Sequence, residues 1–90
     1  MRHGNFTREM AVEIVGEGAV EKVERENCDF TNRVQCDGDS DVEFSASVRC
    51  ADKNDDSVTL VAYYYQDRAA VDAVKSLDQL DWEIHGFEIV

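Results

Sequence analysis

The fold is decided by residues 42–66, VEFSASVRCADKNDDSVTLVAYYYQ, which hold two strand patterns separated by a polar stretch. Apolar and polar side chains alternate from residue 42 to residue 50, and this period of two predicts a half-buried strand. Residues 57–66 are apolar at both parities, which predicts a strand that is covered on both faces. The acidic stretch at residues 51–56 predicts a turn, so that the two strands form an antiparallel hairpin.

A further strand is predicted before this hairpin. Residues 28–36 place most of their apolar side chains at one parity, and the acidic stretch at residues 37–41 follows them. If that stretch closes a symmetric five-residue turn, Cys36 lies opposite Val42. Residues 28–36 and 42–50 then form the first hairpin of a mainly antiparallel sheet.

A helix and a closing strand are predicted after the hairpin. Residues 67–77 have apolar side chains three or four positions apart, and Asp67 is a favourable residue for the N-cap. Residues 82–90 carry a strand pattern whose inward parity changes at His85 and Gly86. A β-bulge at these two residues explains the change.

The N-terminal part of the chain gives weaker patterns. Residues 1–7 show no periodicity and are expected to form a frayed terminus. Residues 9–15 alternate apolar and acidic side chains, which predicts a half-buried strand. Residues 19–26 fit two structures: their Ala, Glu, Lys and Arg content favours a short helix, whereas the turn GEG at residues 16–18 favours a hairpin.

Together these patterns predict an α+β fold with one domain over residues 1–90. We expect a single, mainly antiparallel sheet with one C-terminal helix, at about residues 67–77, packed on one face and a closing C-terminal strand. A short helix at residues 19–26 gives a ferredoxin-like βαββαβ order, and a strand there gives a β-meander. In both cases one face of the sheet can be left without a helix.

The chain is strongly acidic, with 20 Asp and Glu against 9 Lys and Arg and a formal net charge of −11. This charge disfavours binding to nucleic acid or to an anionic membrane surface. Asp is common and Lys is rare, which we interpret as adaptation to a salt-rich cytoplasm, where molar salt shortens the Debye length to about 3 Å. A basic partner is the alternative explanation of the charge.

Compartment and redox state follow from what the sequence lacks. No segment reaches the roughly 18 apolar residues of a membrane helix, and the first ten residues lack the apolar core of a signal peptide. Three cysteines are too few for a disulfide scaffold. We therefore expect a cytoplasmic protein with reduced thiols.

Two groups of side chains are candidates for redox or metal chemistry. Cys28 and Cys50 lie opposite each other in the symmetric hairpin and could form a redox pair, although their apolar neighbours favour a role in the core. Asp37, Asp39 and Asp41 are weak candidates for a metal site, because alternating carboxylates can converge on a cation. The EF-hand pattern does not continue beyond them, so no metal or other cofactor is expected.

The leading hypothesis for function rests on the apolar run that ends in three tyrosines. Consecutive strand residues point to opposite faces, so one helix cannot cover all three rings. Val61, Tyr63 and Tyr65 therefore predict a non-enzymatic interaction module that binds a protein partner or forms a homodimer through this sheet face. The alternatives are a small ligand-binding domain or enzyme that uses His85 with the tyrosines, and a redox or metal-binding protein that uses the two facing cysteines.

Overall fold

The structure, a computed structural model, describes residues 3–26, 34–35 and 41–90. The elements in chain order are α1 (Arg8–Val15), α2 (Glu17–Arg25), β1 (Val34–Gln35), β2 (Asp41–Ala51), β3 (Ser57–Asp67), α3 (Arg68–Ala73), a 3₁₀ turn (Leu77–Gln79) and β4 (Ile84–Ile89). The strands form one sheet in the order β1-β2-β3-β4, and every neighbouring pair is antiparallel. The predicted α+β class with an antiparallel sheet is confirmed.

The hairpin of β2 and β3 is the centre of the sheet, as the alternation predicts. Its pairing is continuous from Asp41 opposite Asp67 to Ala51 opposite Ser57. The carboxylate of Asp52 accepts hydrogen bonds from two backbone N–H groups of the turn, those of Asn54 at 2.8 Å and of Asp56 at 3.0 Å. The acidic composition of this turn therefore has a local structural role.

The core lies on one face of the sheet, where the helices pack. Even-numbered residues of β2 and β3 point to this face, and the helices contribute their buried side chains to the same cluster. Trp82 closes one end, with its ring edge-on to Phe44 and Tyr64 at centroid distances of 4.9 and 5.8 Å. The buried apolar residues are Ala11, Val20, Val23, Val42, Phe44, Ala46, Val48, Leu60, Ala62, Tyr64, Val71 and Phe87.

The predicted strand at residues 9–15 is wrong, because this segment forms α1. The hydroxyl of Thr7 accepts a hydrogen bond from the backbone N–H of Met10 at 3.2 Å and so caps the helix. Ala11 is buried, with Val12 and Val15 packed beside it, whereas Met10 is 44% exposed. The apolar residues therefore follow the helical period, and the alternation across three of them is coincidental.

The helix favoured at residues 19–26 is present as α2, which begins earlier, at Glu17. Gly16 joins the two helices with a φ of 89°, in the left-handed region that favours glycine. The β-meander is therefore wrong for this segment. The ferredoxin-like order is not found either, since two helices precede the first described strand.

The C-terminal helix is shorter than predicted and is not the only helix. Helix α3 ends at Ala73, and Asp67 occupies its N-cap position without a side-chain hydrogen bond. The chain then becomes extended and forms the 3₁₀ turn. The indole N–H of Trp82 donates to the carbonyl of Leu77 at 2.9 Å, and this bond ties the turn to the core.

The predicted β-bulge is present in β4. Tyr63 lies opposite Gly86, but Tyr64 lies opposite Ile84, so His85 is the extra residue. The bulge returns Ile84 to the core face that Phe87 also occupies, which explains the change of parity in the sequence.

The predicted register of the first hairpin is wrong by one residue. Gln35, and not Cys36, lies opposite Val42, and Val34 lies opposite Glu43. Asp41 already belongs to β2. The remainder of the predicted strand at residues 28–36 lies outside the described residues.

Candidate interaction face

The sheet has a second face, opposite the core, and it carries the tyrosines singled out in the sequence. In register, Glu43 lies opposite Tyr65, Ser45 opposite Tyr63, and Ser47 opposite Val61, which has Glu88 on its other side. We call the surface formed by Glu43, Ser45, Ser47, Val61, Tyr63, Tyr65 and Glu88 the tyrosine face. The buried side chains of the three helices belong to the core on the opposite face. Val61, Tyr63 and Tyr65 are half-buried.

The chain before α1, residues 3–7, forms an arm that reaches this face from the edge of β4. Residues 1–7 are expected to fray, yet Phe6 pairs with Phe87 through two backbone hydrogen bonds of 2.9 Å. The arm then passes over Gly86, where a Cβ atom would lie 2.1 Å from the carbonyl oxygen of Gly4. The backbone N–H of Gly4 donates to the carboxylate of Glu88 at 3.3 Å.

His3 ends the described arm and lies on the tyrosine face. Its ring stacks on Tyr63 with a centroid distance of 5.4 Å and an interplanar angle of 30°. Its Nδ1 lies 2.6 Å from Oε2 of Glu43. The backbone N–H of His3 donates to the hydroxyl of Tyr65, and that hydroxyl lies 3.0 Å from the same Oε2 atom.

His3, Glu43, Tyr63, Tyr65 and Glu88 form a cluster of contacting side chains. Glu43 is its buried charged residue, with only 8% of the residue exposed. A buried carboxylate is costly unless hydrogen bonds and an opposite charge compensate it, and His3 and Tyr65 supply both. The hydrogen bond with Glu43 and then its negative charge raise the pKa of His3 above about 6.5, and Glu88 adds to this effect. Desolvation and the positive amino terminus of the chain oppose it.

Tyr63 has a strongly perturbed hydroxyl. Burial, followed by the negative charge of Glu88 and a hydrogen bond with it, raises the pKa of Tyr63 to about 12. The hydroxyl therefore stays protonated near neutral pH. Tyrosine in this state suits a contact surface, whereas a tyrosine that acts as a general base needs a lowered pKa.

His85, the bulged residue, lies beside the tyrosine face. Its ring is edge-on to Tyr65 at a centroid distance of 5.0 Å. Tyr65 and His85 also line a shallow groove of about 370 Å³, whose other lining residues are Gln66, Asp81, Glu83 and Ile84. The structure thus places His85 against Tyr65, and Tyr63 lies two positions earlier on the same face of β3.

Three residues of this cluster, His3, Glu43 and Glu88, are absent from the sequence-based candidates. A signal for Glu43 exists, because it is the single carboxylate inside the alternating strand at residues 42–50. His3 has no such signal, because residues 1–7 show no periodicity. Its contact with Glu43 spans 40 positions of the chain.

The cysteine and aspartate candidates are not assembled into a site by the described residues. Cys50 is a half-buried free thiol that packs against the core. Asp41 lies in β2 opposite Asp67. Cys28, Asp37 and Asp39 lie outside the described residues, so the redox pair and the aspartate site stay predictions. Within residues 3–26, 34–35 and 41–90, no three His, Cys, Asp or Glu side chains are grouped to hold a metal ion.

Comparison with known proteins gives no relative for this chain. No family model matches it, and neither the curated proteins nor the solved structures include a similar chain. Among the described residues, no helix has the length and apolar character needed to cross a membrane.

Proposed function

We propose that the protein is a non-enzymatic interaction module, that its binding surface is the tyrosine face, and that its partner is a second copy of the chain. One observation carries this proposal. Val61, Tyr63 and Tyr65 lie half-exposed on the sheet face opposite the helices. Tyrosine combines apolar area with a hydroxyl that tolerates water, which makes it frequent at protein interfaces.

The charge distribution favours a second copy at this face. The chain has a net charge of −11, so two copies repel each other wherever their acidic surfaces meet. The middle of the tyrosine face, formed by Ser45, Ser47, Val61 and Tyr63, has no charged side chain. Glu43 lies beyond this middle part, opposite Tyr65 on β3. This face is therefore where two copies approach with little repulsion.

The edges of the face are self-complementary. Exposed Arg49 lies on β2 just beyond Ser47, and Glu88 lies on β4 beside Val61. A two-fold axis that lies within the interface, parallel to β3, places the β2 side of one copy over the β4 side of the other. Arg49 of each copy then approaches Glu88 of the other, as an isologous interface requires.

High salt is part of the proposal. The Debye length falls from about 10 Å at 0.1 M salt to about 3 Å at 1 M, so molar salt removes most of the repulsion between the two copies. We propose that the protein is adapted to such a medium. The dimer then forms in molar KCl and weakens in dilute buffer.

Sedimentation equilibrium in molar KCl at micromolar protein tests the interface with a pair of matched variants. Val61→Asp puts a carboxylate in the middle of the tyrosine face, and Met10→Asp puts the same group on helix α1, at a residue that is 44% exposed away from this face. We expect a monomer for V61D and a dimer for M10D and the unmodified chain. Ser47→Asp, at an exposed position of the same face, should also give a monomer if V61D fails to fold.

Two results overturn the proposal. One is a dimer that V61D and S47D leave intact, and the other is an unmodified chain that stays monomeric in molar KCl at every pH. Circular dichroism of each variant establishes that its fold is preserved.

A second candidate is a ligand-binding domain, and the groove beside His85 favours it. Asp81 and Glu83 give this groove a negative lining, which suits a small cation. NMR titration of the V61D monomer with a small diamine tests this function apart from dimerisation. Shifts confined to His85 and Tyr65 would support the groove, and an unchanged spectrum would exclude diamines as its ligands.

A further inference from the structure

The N-terminal arm contacts three strands within two residues of its length. His3 contacts Glu43 on β2 and stacks on Tyr63 of β3. Gly4 donates to Glu88 on β4. The arm therefore lies across the tyrosine face, and its attachment point is the Phe6 pairing at the edge of the sheet.

One of these contacts depends on a proton. A protonated imidazole forms a charge-assisted hydrogen bond with the carboxylate of Glu43, whereas a neutral imidazole gives this buried carboxylate no compensating charge. The backbone pairing of Phe6 with Phe87 is independent of protonation, so it holds the base of the arm in place while its tip responds to pH.

Charged and titratable groups face His3 from each of the three strands packed against it. Glu43 faces His3 from β2, and Glu88 faces it from β4. From β3, the hydroxyl of Tyr65 and the ring of Tyr63 contact His3. Burial and the negative charge of Glu88 raise the pKa of Tyr63 to about 12. The amino terminus adds a positive charge. His85 contacts the ring of Tyr65, whose hydroxyl contacts His3.

The direction of the pH effect follows from the raised pKa of His3. The docked arm binds the proton more tightly than a released arm, whose imidazole has the ordinary pKa of about 6.5. Docking is therefore strongest below that ordinary value. It weakens as the pH rises through the raised pKa of the docked imidazole.

A docked arm and a second copy cannot occupy the tyrosine face together. Two sheets that pack face to face are about 10 Å apart, and their side chains fill the space between them. The His3 ring stacked on Tyr63 already occupies part of this layer. We propose that the arm is a pH-sensitive strap, which covers the tyrosine face while His3 is protonated and frees it for a second copy when His3 is neutral. This inference rests on the proposed function.

Two readouts test the strap and the dimer separately. The first is an NMR titration of the His3 ring together with the exchange protection of the Gly4 amide, whose N–H donates to Glu88. It is made on the unmodified chain in dilute buffer, where we expect a monomer, with any purification tag at the C-terminus. We expect His3 to titrate above about pH 6.5 and the protection of Gly4 to fall through the same midpoint, while that of Phe87, whose N–H donates to Phe6, stays constant.

The second readout is the dimer dissociation constant of the unmodified chain in molar KCl, measured on both sides of the His3 midpoint. We expect dimerisation to be tighter at the higher pH by roughly fivefold or more. His3→Gln should abolish this pH dependence, since it removes the titrating group. His85→Gln, which removes the neighbouring histidine, is the matched control and should preserve it.

The outcomes distinguish the two proposals. A dimer with the same affinity at both pH values, or one whose pH dependence survives in H3Q, overturns the strap and leaves the interaction module standing. A chain that is monomeric at every pH overturns the interaction module. In that case, a His3 midpoint at or below about pH 6.5, or constant protection of the Gly4 amide, overturns the strap as well.

Discussion

Gly86 and Gly4 are the two residues that let the arm reach the tyrosine face. The bulge at His85 brings Gly86 opposite Tyr63, and the arm crosses the sheet at this point with its backbone in contact. Gly4 has a φ of 99°, which residues with a side chain rarely adopt. Both glycines are therefore required by the path of the arm.

Replacing Gly86 by Ala should detach the arm. The new Cβ would lie 2.1 Å from the carbonyl oxygen of Gly4, so the arm must move away. We expect the free energy of unfolding, measured by urea denaturation, to fall by about 1–3 kcal/mol. Phe87 should lose the exchange protection that its bond to Phe6 provides.

The matched control is Gly18→Ala in α2, where a Cβ meets no atom within 4 Å. Alanine favours the helix over glycine by roughly 0.5–1 kcal/mol, so this variant should be stabilised. Equal effects of G86A and G18A would contradict the close approach of the arm to β4.

At the scale of the elements, helix α1 shows where periodicity fails as a guide. Met10, Val12 and Ile14 fit a strand, while Ala11 and Val15 fit a helix, and eight residues are too few to separate the two periods. The deciding signal is local: a capping Thr followed by an acidic first turn. Parity is a better guide in the longer strands β2 and β3, whose buried residues follow the alternation over several residues.

Thr7→Ala should destabilise α1. It removes the hydroxyl that accepts a hydrogen bond from Met10, and loss of an N-cap costs about 1 kcal/mol. Urea denaturation measures the change, and Thr7→Ser, which keeps the hydroxyl, is the control. If T7A and T7S have the same stability, the helix does not begin at this cap.

At the scale of the whole molecule, the site depends on contacts that no local pattern contains. His3 and Glu43 are 40 positions apart, and the arm meets Glu43 only because the sheet order and the bulge bring their elements together. The tyrosines are predictable because a strand that is apolar at both parities must be covered twice. What covers the second face depends on packing between distant segments.

The net charge of −11 predicts that salt stabilises the molecule. Screening at molar KCl reduces repulsion within the folded chain, so the melting temperature of the V61D monomer should rise by several degrees from dilute buffer. The double variant Asp55→Asn and Asp56→Asn in the same background, with two fewer charges in the exposed turn, should show a smaller rise. A melting temperature that is independent of KCl would contradict adaptation to salt.

The central claim, that two copies meet on the tyrosine face, is tested most directly by isotope-filtered NMR. A mixture of labelled and unlabelled chains in molar KCl, above the His3 midpoint, reports only contacts between copies. We predict intermolecular signals that join Val61 and the Tyr63 ring to Ser47. Intermolecular signals confined to another surface, or none at all, would contradict the claim.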